Sequence, residues 1–179
     1  ELDKISPTWD LEYAASALPQ NSTPAWTRWT YGSGFTEEIT SGQLHLANSS
    51  SNNIYYSRNG VVTTGNTISV KVKVKISSST GDAIGLIIDD GSKRVCMWLY
   101  TNKITVVDGS NHDYTVDMTS YHEVELRKIA QTGWKLFVDG IERLSGTAQA
   151  SGSTNWIMFG HALYPNYGES YWDWLNYSL

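Results

Sequence analysis

Hydrophobic and polar residues alternate in short runs along most of this chain of 179 residues. The clearest run spans residues 67–76, where isoleucine or valine occupies every even position from 68 to 76 and serine or lysine lies between them. Side chains of a β-strand point alternately to opposite faces, so strict alternation of this kind predicts a strand with one buried face.

The segment 121–146 gives the strongest prediction of consecutive strands and turns. Alternation runs through 122–127, a turn centred on 131–133 follows, and alternation resumes over 134–138. Asp139-Gly140 then reverses the chain, because this dipeptide supplies the positive φ angles that a two-residue hairpin turn needs. The segment therefore predicts an antiparallel meander.

The remainder of the chain has the same character, with about a dozen short strands between Gly, Asn and Asp turns and no segment of helical period. Further strands are expected over 9–13, 26–30, 37–47 (a hairpin broken at 41–42), 54–57, 82–89, 93–100, 103–107, 114–118, 154–160 and 171–177. This spacing predicts an all-β protein, either a sandwich or a barrel. The sequence contains no repeat or linker, so we expect residues 1–179 to form one domain.

Composition narrows the class of partner. The formal net charge of −5 argues against a nucleic acid or an anionic membrane as ligand. Only 17% of the residues are charged, whereas 8 tryptophans and 11 tyrosines are present, and this balance is common in extracellular proteins that handle sugars. Cys96 is the only cysteine, which excludes an intrachain disulfide framework. We expect a secreted or extracellular protein.

Three stretches resemble a known superfamily. The run HEVELRKIAQTGWKLFVDGIERLSG (122–146) resembles the late strands of concanavalin A-like, laminin-G-like β-sandwiches, and ESYWDWLNYSL (169–179) resembles the last strand of their bacterial members. The run DLEYAASALPQNSTPAW (10–26) is similar to the start of modules attached to bacterial carbohydrate-active enzymes. The resemblance implies a two-sheet antiparallel jelly roll. It does not select a function, because the superfamily holds lectins, carbohydrate-binding modules, glucanases, lyases and laminin-G domains.

Catalytic residues are not expected. The glucanases of this superfamily place carboxylates on one strand as Glu-x-Asp-x-x-Glu, because retaining hydrolysis needs two carboxylates close together. The nearest match is Glu123 and Glu125, on the predicted solvated face of their strand and followed by Lys128 where the third carboxylate would stand. Lyases of this fold carry a Gln-x-His motif. The nearest match here is Gln43-Leu44-His45, and we expect its histidine to face solvent.

Binding residues are expected in three places, because sugar rings stack on aromatic side chains and their hydroxyls need polar partners. The first is one face of strand 94–100, where Arg94, Trp98 and Tyr100 accompany Cys96. If this face is not a binding platform, it is a second core face with Arg94 at the strand end in solvent.

The loop 161–169 is the second place, because exposed loops on a rigid sandwich often carry recognition. Tyr164 and Tyr167 would clamp a sugar with Asn166 beside them, or else would pack over the rim of the sandwich. The third place is the aromatic and basic cluster at Tyr55 and Arg58.

A structural calcium ion is implied by the resemblance alone. Related modules hold one between backbone carbonyls near the N-terminus and an Asp of the final strand, which corresponds here to Asp173 with Asp10 or Glu12 as partner. No other cofactor is expected.

The sequence thus predicts a non-catalytic polysaccharide-binding module of a larger glycan-degrading enzyme. The alternatives are a divergent hydrolase or lyase, and a laminin-G-like domain that binds protein.

Overall fold

The computed structural model describes residues 9, 11–49, 52–147, 149–161 and 166–179, and of residues 11 and 12 only the backbone. Its strands are β1 (Leu11–Ala14), β2 (Thr27–Tyr31), β3 (Phe35–Thr40), β4 (Gln43–Asn48), β5 (Asn53–Asn59), β6 (Ile68–Ser79), β7 (Ile84–Asp90), β8 (Lys93–Leu99), β9 (Lys103–Val107), β10 (Asn111–Thr115), β11 (His122–Ile129), β12 (Gly133–Val138), β13 (Ile141–Gly146), β14 (Ala150–Ser151), β15 (Asn155–His161) and β16 (Gly168–Ser178). One 3₁₀ turn, Pro19–Asn21, interrupts them. No helix in the described part of the chain is long and apolar enough to cross a membrane.

The strands form two antiparallel sheets. Sheet A has the order β13-β12-β11-β6-β16-β4-β3, with β1 paired to β16, and sheet B has the order β10-β9-β8-β7-β15-β5-β2, with β14 paired to β8. This architecture confirms the predicted all-β, two-sheet antiparallel sandwich. Because β1 pairs with β16, the first and last strands are neighbours.

The main core fills the space between the two sheets. The even positions of β6 from Ile68 to Ile76 are fully buried in it, as the alternation predicts, and from sheet B Val95, Met97 and Leu99 face them. Trp134 also lies in this core, where its indole N–H donates to Asp108 at 2.8 Å. That these strands and both termini form a single domain stays a prediction.

The last strand departs from simple alternation. Trp172 and Trp174, two residues apart, are predicted to share one face, and this prediction is wrong. The pairing of β16 with β6 shifts register between them, so Trp172 packs in the core while Trp174 lies outside, beneath the ammonium group of Lys71. A β-bulge inserts one extra residue and reverses the side to which later side chains point.

The polar strand β10 begins earlier than predicted. Residues 114–118 were expected to be extended, whereas the strand runs Asn111–Thr115 and pairs with β9 through five residue pairs. Beyond it, the N–H groups of Val116 and Met118 donate to Asn102 and Thr101 in the turn before β9. Exposed Asn111 and Asp113 carry no hydrophobic signal, so sequence alternation alone does not locate the start of this strand.

Candidate functional site

The outer face of sheet B, which points away from the main core, carries a second hydrophobic cluster. Trp98 and Cys96 lie in it, as predicted from their alternation with Val95 and Met97. The complete cluster comprises buried Ile87, Cys96, Trp98 and Met158, with partly buried Tyr55, Tyr100, Val107 and Trp156 packed against them. Burial raises the pKa of the Cys96 thiol to about 11, so the thiol is protonated and packs as an apolar group. With only 2–9% of each of these four residues exposed, they form a second, smaller core outside the main one.

Strand pairing fixes the order of side chains across this face. Trp29 of β2 faces Tyr55, Tyr55 faces Gly160, Gly160 faces Gly85, and Gly85 faces Trp98. The indole of Trp98 lies over Gly85, where a Cβ atom would come within 2.3 Å of it. Only 6% of Trp98 is exposed as a result. The ring therefore offers little surface for stacking, and direct contact of Trp98 with a ligand stays a prediction.

The exposed rings lie on the opposite side of the same face. Trp29 is 41% exposed, and its ring stacks on Tyr55 with centroids 6.2 Å apart and planes 14° apart. Tyr55 in turn meets the edge of Trp156 at 6.4 Å. We call Trp29, Tyr55 and Trp156 the aromatic ladder. At the end of β2, Tyr31 is 67% exposed beside it.

Hydrogen bonds and an ion pair hold the ladder in place. The indole N–H of Trp29 donates to Ser57 Oγ at 2.8 Å. On the other side of β2, Arg28 lies 2.6 Å from Glu37 of β3, and the hydroxyl of Tyr56 donates to the same carboxylate. Burial favours the neutral form of Glu37, but the hydrogen bonds from Arg28 and Tyr56 outweigh it and lower the pKa. Sheet A thereby anchors the two strands that carry Trp29 and Tyr55.

A recess of about 260 Å³ adjoins the ladder. Polar groups dominate its lining, which consists of Ala25, Thr27, Ser57, Arg58 and Asn59. Asn59 pairs directly with Trp156, and Nη1 of Arg58 donates to the carbonyl of Ala25 at 2.8 Å. Of the two predicted residues, Tyr55 lies in the ladder on the outer face, whereas Arg58 pairs with Ile157 of the main core and points to the inner face of sheet B.

The other predicted binding residues lie around the same sheet but not in the ladder. Arg94 is partly buried near the start of β8, beside the short strand β14. Tyr100 lies at the opposite end of that strand, where its hydroxyl donates to Asp82. Burial and this hydrogen bond raise the pKa of Tyr100 well above its usual range.

The predicted loop residues are only partly described. Tyr164 lies outside the described residues. Tyr167 is exposed, and its backbone N–H and carbonyl both bond to Thr80. Asn166 is partly buried, and its carbonyl accepts a hydrogen bond from Asn48 at 3.3 Å. The described part of this loop is thus attached to the rim of the sandwich, and its contact with a ligand stays a prediction.

Asp173, the predicted calcium ligand, has a cationic partner on the surface. The ammonium group of Lys73 lies 2.8 Å from its carboxylate. Within the described residues no three His, Cys, Asp or Glu side chains form a group suited to a metal ion. The side chains of Asp10 and Glu12 lie outside the described residues, so a calcium ion shared with them stays a prediction.

Glu123 and Glu125, the nearest match to the glucanase motif, lie on the outer face of sheet A. Glu123 pairs with Lys71 at 2.6 Å and Glu125 with Arg127 at 2.7 Å. Glu123 is solvated as expected, whereas Glu125 is largely covered, because Arg127 extends across both it and the ring of Phe137.

His45 faces outward, as predicted from fully buried Leu44 and Leu46 on either side of it. Its ring nitrogens lie 3.0 Å from Glu38 and 2.9 Å from Glu169, and the ring stacks on Tyr171 at 4.4 Å. Both ring nitrogens therefore already have carboxylate partners, and this cluster links β3, β4 and β16.

Two ladder residues were not identified from the sequence. The sequence favours Trp26 and Trp29 as anchors for residues 14–25, and its pattern does not single out Trp156. The spacing of Trp26 and Trp29 indicates that one of them points inward and the other outward, because residues three apart on a strand point to opposite faces. Since Trp26 is buried at 2% exposure, Trp29 must point outward.

Comparison with known proteins identifies the fold. No protein-family model and no curated protein matches the sequence. A β-glucanase of Bacillus licheniformis superposes with a TM-score of 0.61 at 18% identity, covering 90% of this chain and 96% of that one. Domain 4 of AbnA, a GH43 extracellular arabinanase from Geobacillus stearothermophilus in complex with arabinotriose, gives 0.64 at 13% identity, covering 97% and 93%.

A third structure, a prokaryotic β-1,3-1,4-glucanase (lichenase) derived from a mouse hindgut metagenome, gives a TM-score of 0.64 at 13% identity, covering 94% of this chain and 98% of that one. At such identities the likeness shows the fold alone. The chain therefore has the fold of a concanavalin A-like jelly-roll sandwich, which confirms the fold that the resemblance in its sequence implies.

Proposed function

We propose that this protein is a non-catalytic carbohydrate-binding module that binds a polysaccharide on the outer face of sheet B. The observation that carries the proposal is the aromatic ladder, with Trp29 41% exposed at one end and the polar recess along its side. Neighbouring aromatic rings exposed together at the surface of a sheet often mark a ligand-binding surface.

The chemistry of the ladder matches that of a sugar chain. Each pyranose or furanose ring has an apolar C–H face, which packs on an indole or phenol ring, and a rim of hydroxyls that needs donors and acceptors. Trp29 supplies the stacking surface. Thr27 and Asn59 in the recess supply hydroxyl and amide groups.

The carboxylates of the face favour binding over hydrolysis. Two carboxylates point outward from the described strands of sheet B. Asp113 of β10 is exposed and pairs with Lys103 at 2.8 Å, three strands away from Asp89 of β7, whose side chain is fully buried. Its oxygens accept hydrogen bonds from the backbone N–H groups of Gly91, Ser153 and Thr154. A retaining hydrolase needs two carboxylates free to reach the substrate.

The similar structures agree with a sugar ligand at the level of the fold. The arabinanase domain is described in complex with arabinotriose, and the two glucanases act on glucans by name. In our proposal the module is secreted as part of a larger polysaccharide-degrading enzyme and keeps that enzyme on its substrate. Its benefit would come from effective concentration rather than from new chemistry.

Replacement of Trp29 by alanine tests the proposal. We expect Trp29→Ala to weaken polysaccharide binding roughly 10-fold to 100-fold, because one stacked aromatic contact contributes on the order of 1–3 kcal/mol. The measurement is affinity electrophoresis against a panel of neutral and acidic polysaccharides, followed by isothermal titration with each polymer that retards the wild type.

Trp174→Ala is the matched control, because Trp174 is a partly buried tryptophan on the outer face of the other sheet. Equal binding by the wild type and Trp29→Ala would contradict the proposed site. If the wild type binds no polysaccharide at all, the proposed function fails and the laminin-G-like alternative, a protein partner, takes its place.

A further inference from the structure

Strand β2 is an uncovered edge of sheet B. It lies at one end of the sheet, and among the described strands it pairs with β5 alone. Each of its five residues is exposed, whereas β3, β10 and β13, at the other three sheet ends, all contain partly buried residues. Alternate residues of an end strand direct their N–H and C=O groups away from the neighbouring strand. The edge of β2 is therefore open to a further strand.

The residue types of β2 favour the addition of a strand. Four of its five residues are Thr, Trp or Tyr, which are enriched in strands. Trp29 and Tyr31 are also two of the five large hydrophobic residues exposed in the described part of the chain, with 41% and 67% exposure. The side chains of an added strand would pack against both rings.

The one charge on β2 already has a partner. Edge strands are commonly protected by a charged side chain that an added strand would have to bury. The guanidinium group of Arg28 lies 2.6 Å from Glu37 of β3 and 5.3 Å from the centre of the Phe35 ring. Arg28 is thus directed toward sheet A, and it would keep its counter-charge when a strand adds to β2.

A second copy of β2 fits this edge. Two antiparallel copies related by a two-fold axis at Trp29 would place this tryptophan against itself, Thr27 against Tyr31, and Arg28 against Thr30. Pairs of aromatic and β-branched side chains stabilise neighbouring strands, and no like charges oppose each other in this register. The strand is therefore complementary to itself.

Self-pairing is less favourable at the other three sheet ends. Full-length antiparallel pairing would oppose Asp113 to itself in β10, and Glu37 to Glu38 in β3. Like charges directly opposite each other destabilise a strand pair. The third end, β13, pairs with β12 through a register shift between Leu136 and Phe137, an irregularity that opposes further pairing at an edge.

We infer that two copies of this protein associate through β2 and continue sheet B across a two-fold interface. Five residue pairs and their rings bury far less than the roughly 1,600 Å² of a standard interface, so the association is weak, with a Kd of about 10 μM or higher. The axis stands perpendicular to the sheet, which keeps both outer faces on one side. The use of this dimer rests on the proposed function, because the two aromatic ladders would then hold one polysaccharide at two places.

Sedimentation of the full chain without polysaccharide, from about 5 μM to about 500 μM, tests the pairing. We expect the average mass to rise from one copy toward two. Thr30→Lys should weaken the association about 10-fold or more, because it adds a cation opposite Arg28 of the second copy. Thr30 points away from the face of Trp29, so the ladder is unchanged. Thr115→Lys is the matched control, since Thr115 is an exposed threonine on β10 at the other end of sheet B.

Backbone amide NMR locates the interface. The signals of residues 27–31 should shift between dilute and concentrated wild type, and those of 111–115 should stay in place. Monomers at every concentration, which would leave the β2 edge to a strand of another protein, would overturn the inference. A dimer that Thr30→Lys weakens no more than Thr115→Lys would overturn it as well. If a monomer binds polysaccharide through Trp29, the proposed function stands and only the pairing fails. If the chain dimerises through β2 and binds no polysaccharide, the pairing stands and the proposed function fails.

Discussion

Lys128→Met is expected to lower the free energy of unfolding by about 3–5 kcal/mol. Lys128 is fully buried, and its ammonium group lies 2.7 Å from the fully buried carboxylate of Asp90. Methionine nearly preserves the shape of the side chain while removing its charge, so the variant leaves a buried carboxylate without its counter-charge. Removal of one partner is costly because the charge that remains cannot return to water.

The environment of Asp90 shows how tightly this carboxylate is bound. Burial alone would raise the pKa of Asp90, but hydrogen bonds from Lys128 and from the backbone N–H groups of Lys93, Gly65 and Ser92 outweigh it and hold the pKa well below the usual range. Such a carboxyl group contributes its full stabilisation above pH 3.8, its ordinary pKa. This contribution is lost as the pH falls from there through the lowered pKa of the folded protein.

Urea unfolding at neutral pH measures the effect. Lys73→Met is the matched control, because Lys73 pairs with Asp173 at 2.8 Å on the surface, where an ion pair contributes only about 0–1 kcal/mol. Both variants replace a lysine by methionine, and they differ in whether that lysine is buried. A loss below about 1 kcal/mol in Lys128→Met would contradict the assignment of this pair as a buried bridge between the sheets.

Acid is expected to destabilise the protein through His161 by about 2–3 kcal/mol between pH 6.5 and pH 4.5. Burial, assisted by the nearby charge of His45, lowers the pKa of His161 from 6.5 to about 3. In this interval the unfolded chain binds a proton that the folded protein excludes. Stability therefore falls as the pH falls, at a slope approaching about 1.4 kcal/mol per pH unit.

The hydrogen bonds of His161 suit its neutral form. Its Nδ1 lies 2.8 Å from Oδ1 of Asn48, an amide oxygen that only accepts, so Nδ1 carries the proton. Its Nε2 lies 2.8 Å from the hydroxyl of Ser170, whose oxygen also accepts the indole N–H of Trp172. In the neutral ring Nε2 accepts the hydroxyl hydrogen of Ser170, and a second ring proton would break this bond and leave that hydrogen without its acceptor.

Urea unfolding at several pH values measures this slope. His161→Gln keeps a donor and an acceptor but does not titrate, so its stability should be much flatter between pH 6.5 and pH 4.5. His112→Gln, which changes a partly exposed histidine, should retain the wild-type slope because His161 is unchanged. If the free energy of unfolding falls with pH equally in the wild type and in His161→Gln, His161 is ruled out as the source of the acid sensitivity.

The sequence predicts this fold well because one face of most strands is buried. The alternation in β6 and β8 identifies both the strands and their inward residues, and Asp139-Gly140 locates a hairpin turn where Asp139 has a φ of 53° and Gly140 one of 77°. The bulge in β16 is different, because an extra residue changes the facing of Trp174 without changing the composition of the strand.

The candidate site is less predictable because it depends on contacts between distant strands. The sequence identifies the outward face of β8 correctly, but it does not indicate that Trp98 lies over Gly85 and is covered. It likewise does not show that Trp29 and Trp156 approach Tyr55 from two different strands. The face of the sheet to which a side chain points follows from local alternation, whereas the exposure of that side chain depends on which strands become neighbours.

The most direct test of the binding face is the NMR response of the eight tryptophan indole N–H groups to a polysaccharide that binds. We expect the signals of Trp29 and Trp156 to shift during the titration. The signals of buried Trp26, Trp134 and Trp172 should stay in place, as should that of Trp174 on sheet A. Shifts confined to Trp174, or a bound polysaccharide that moves neither Trp29 nor Trp156, would contradict the assignment of the site to sheet B.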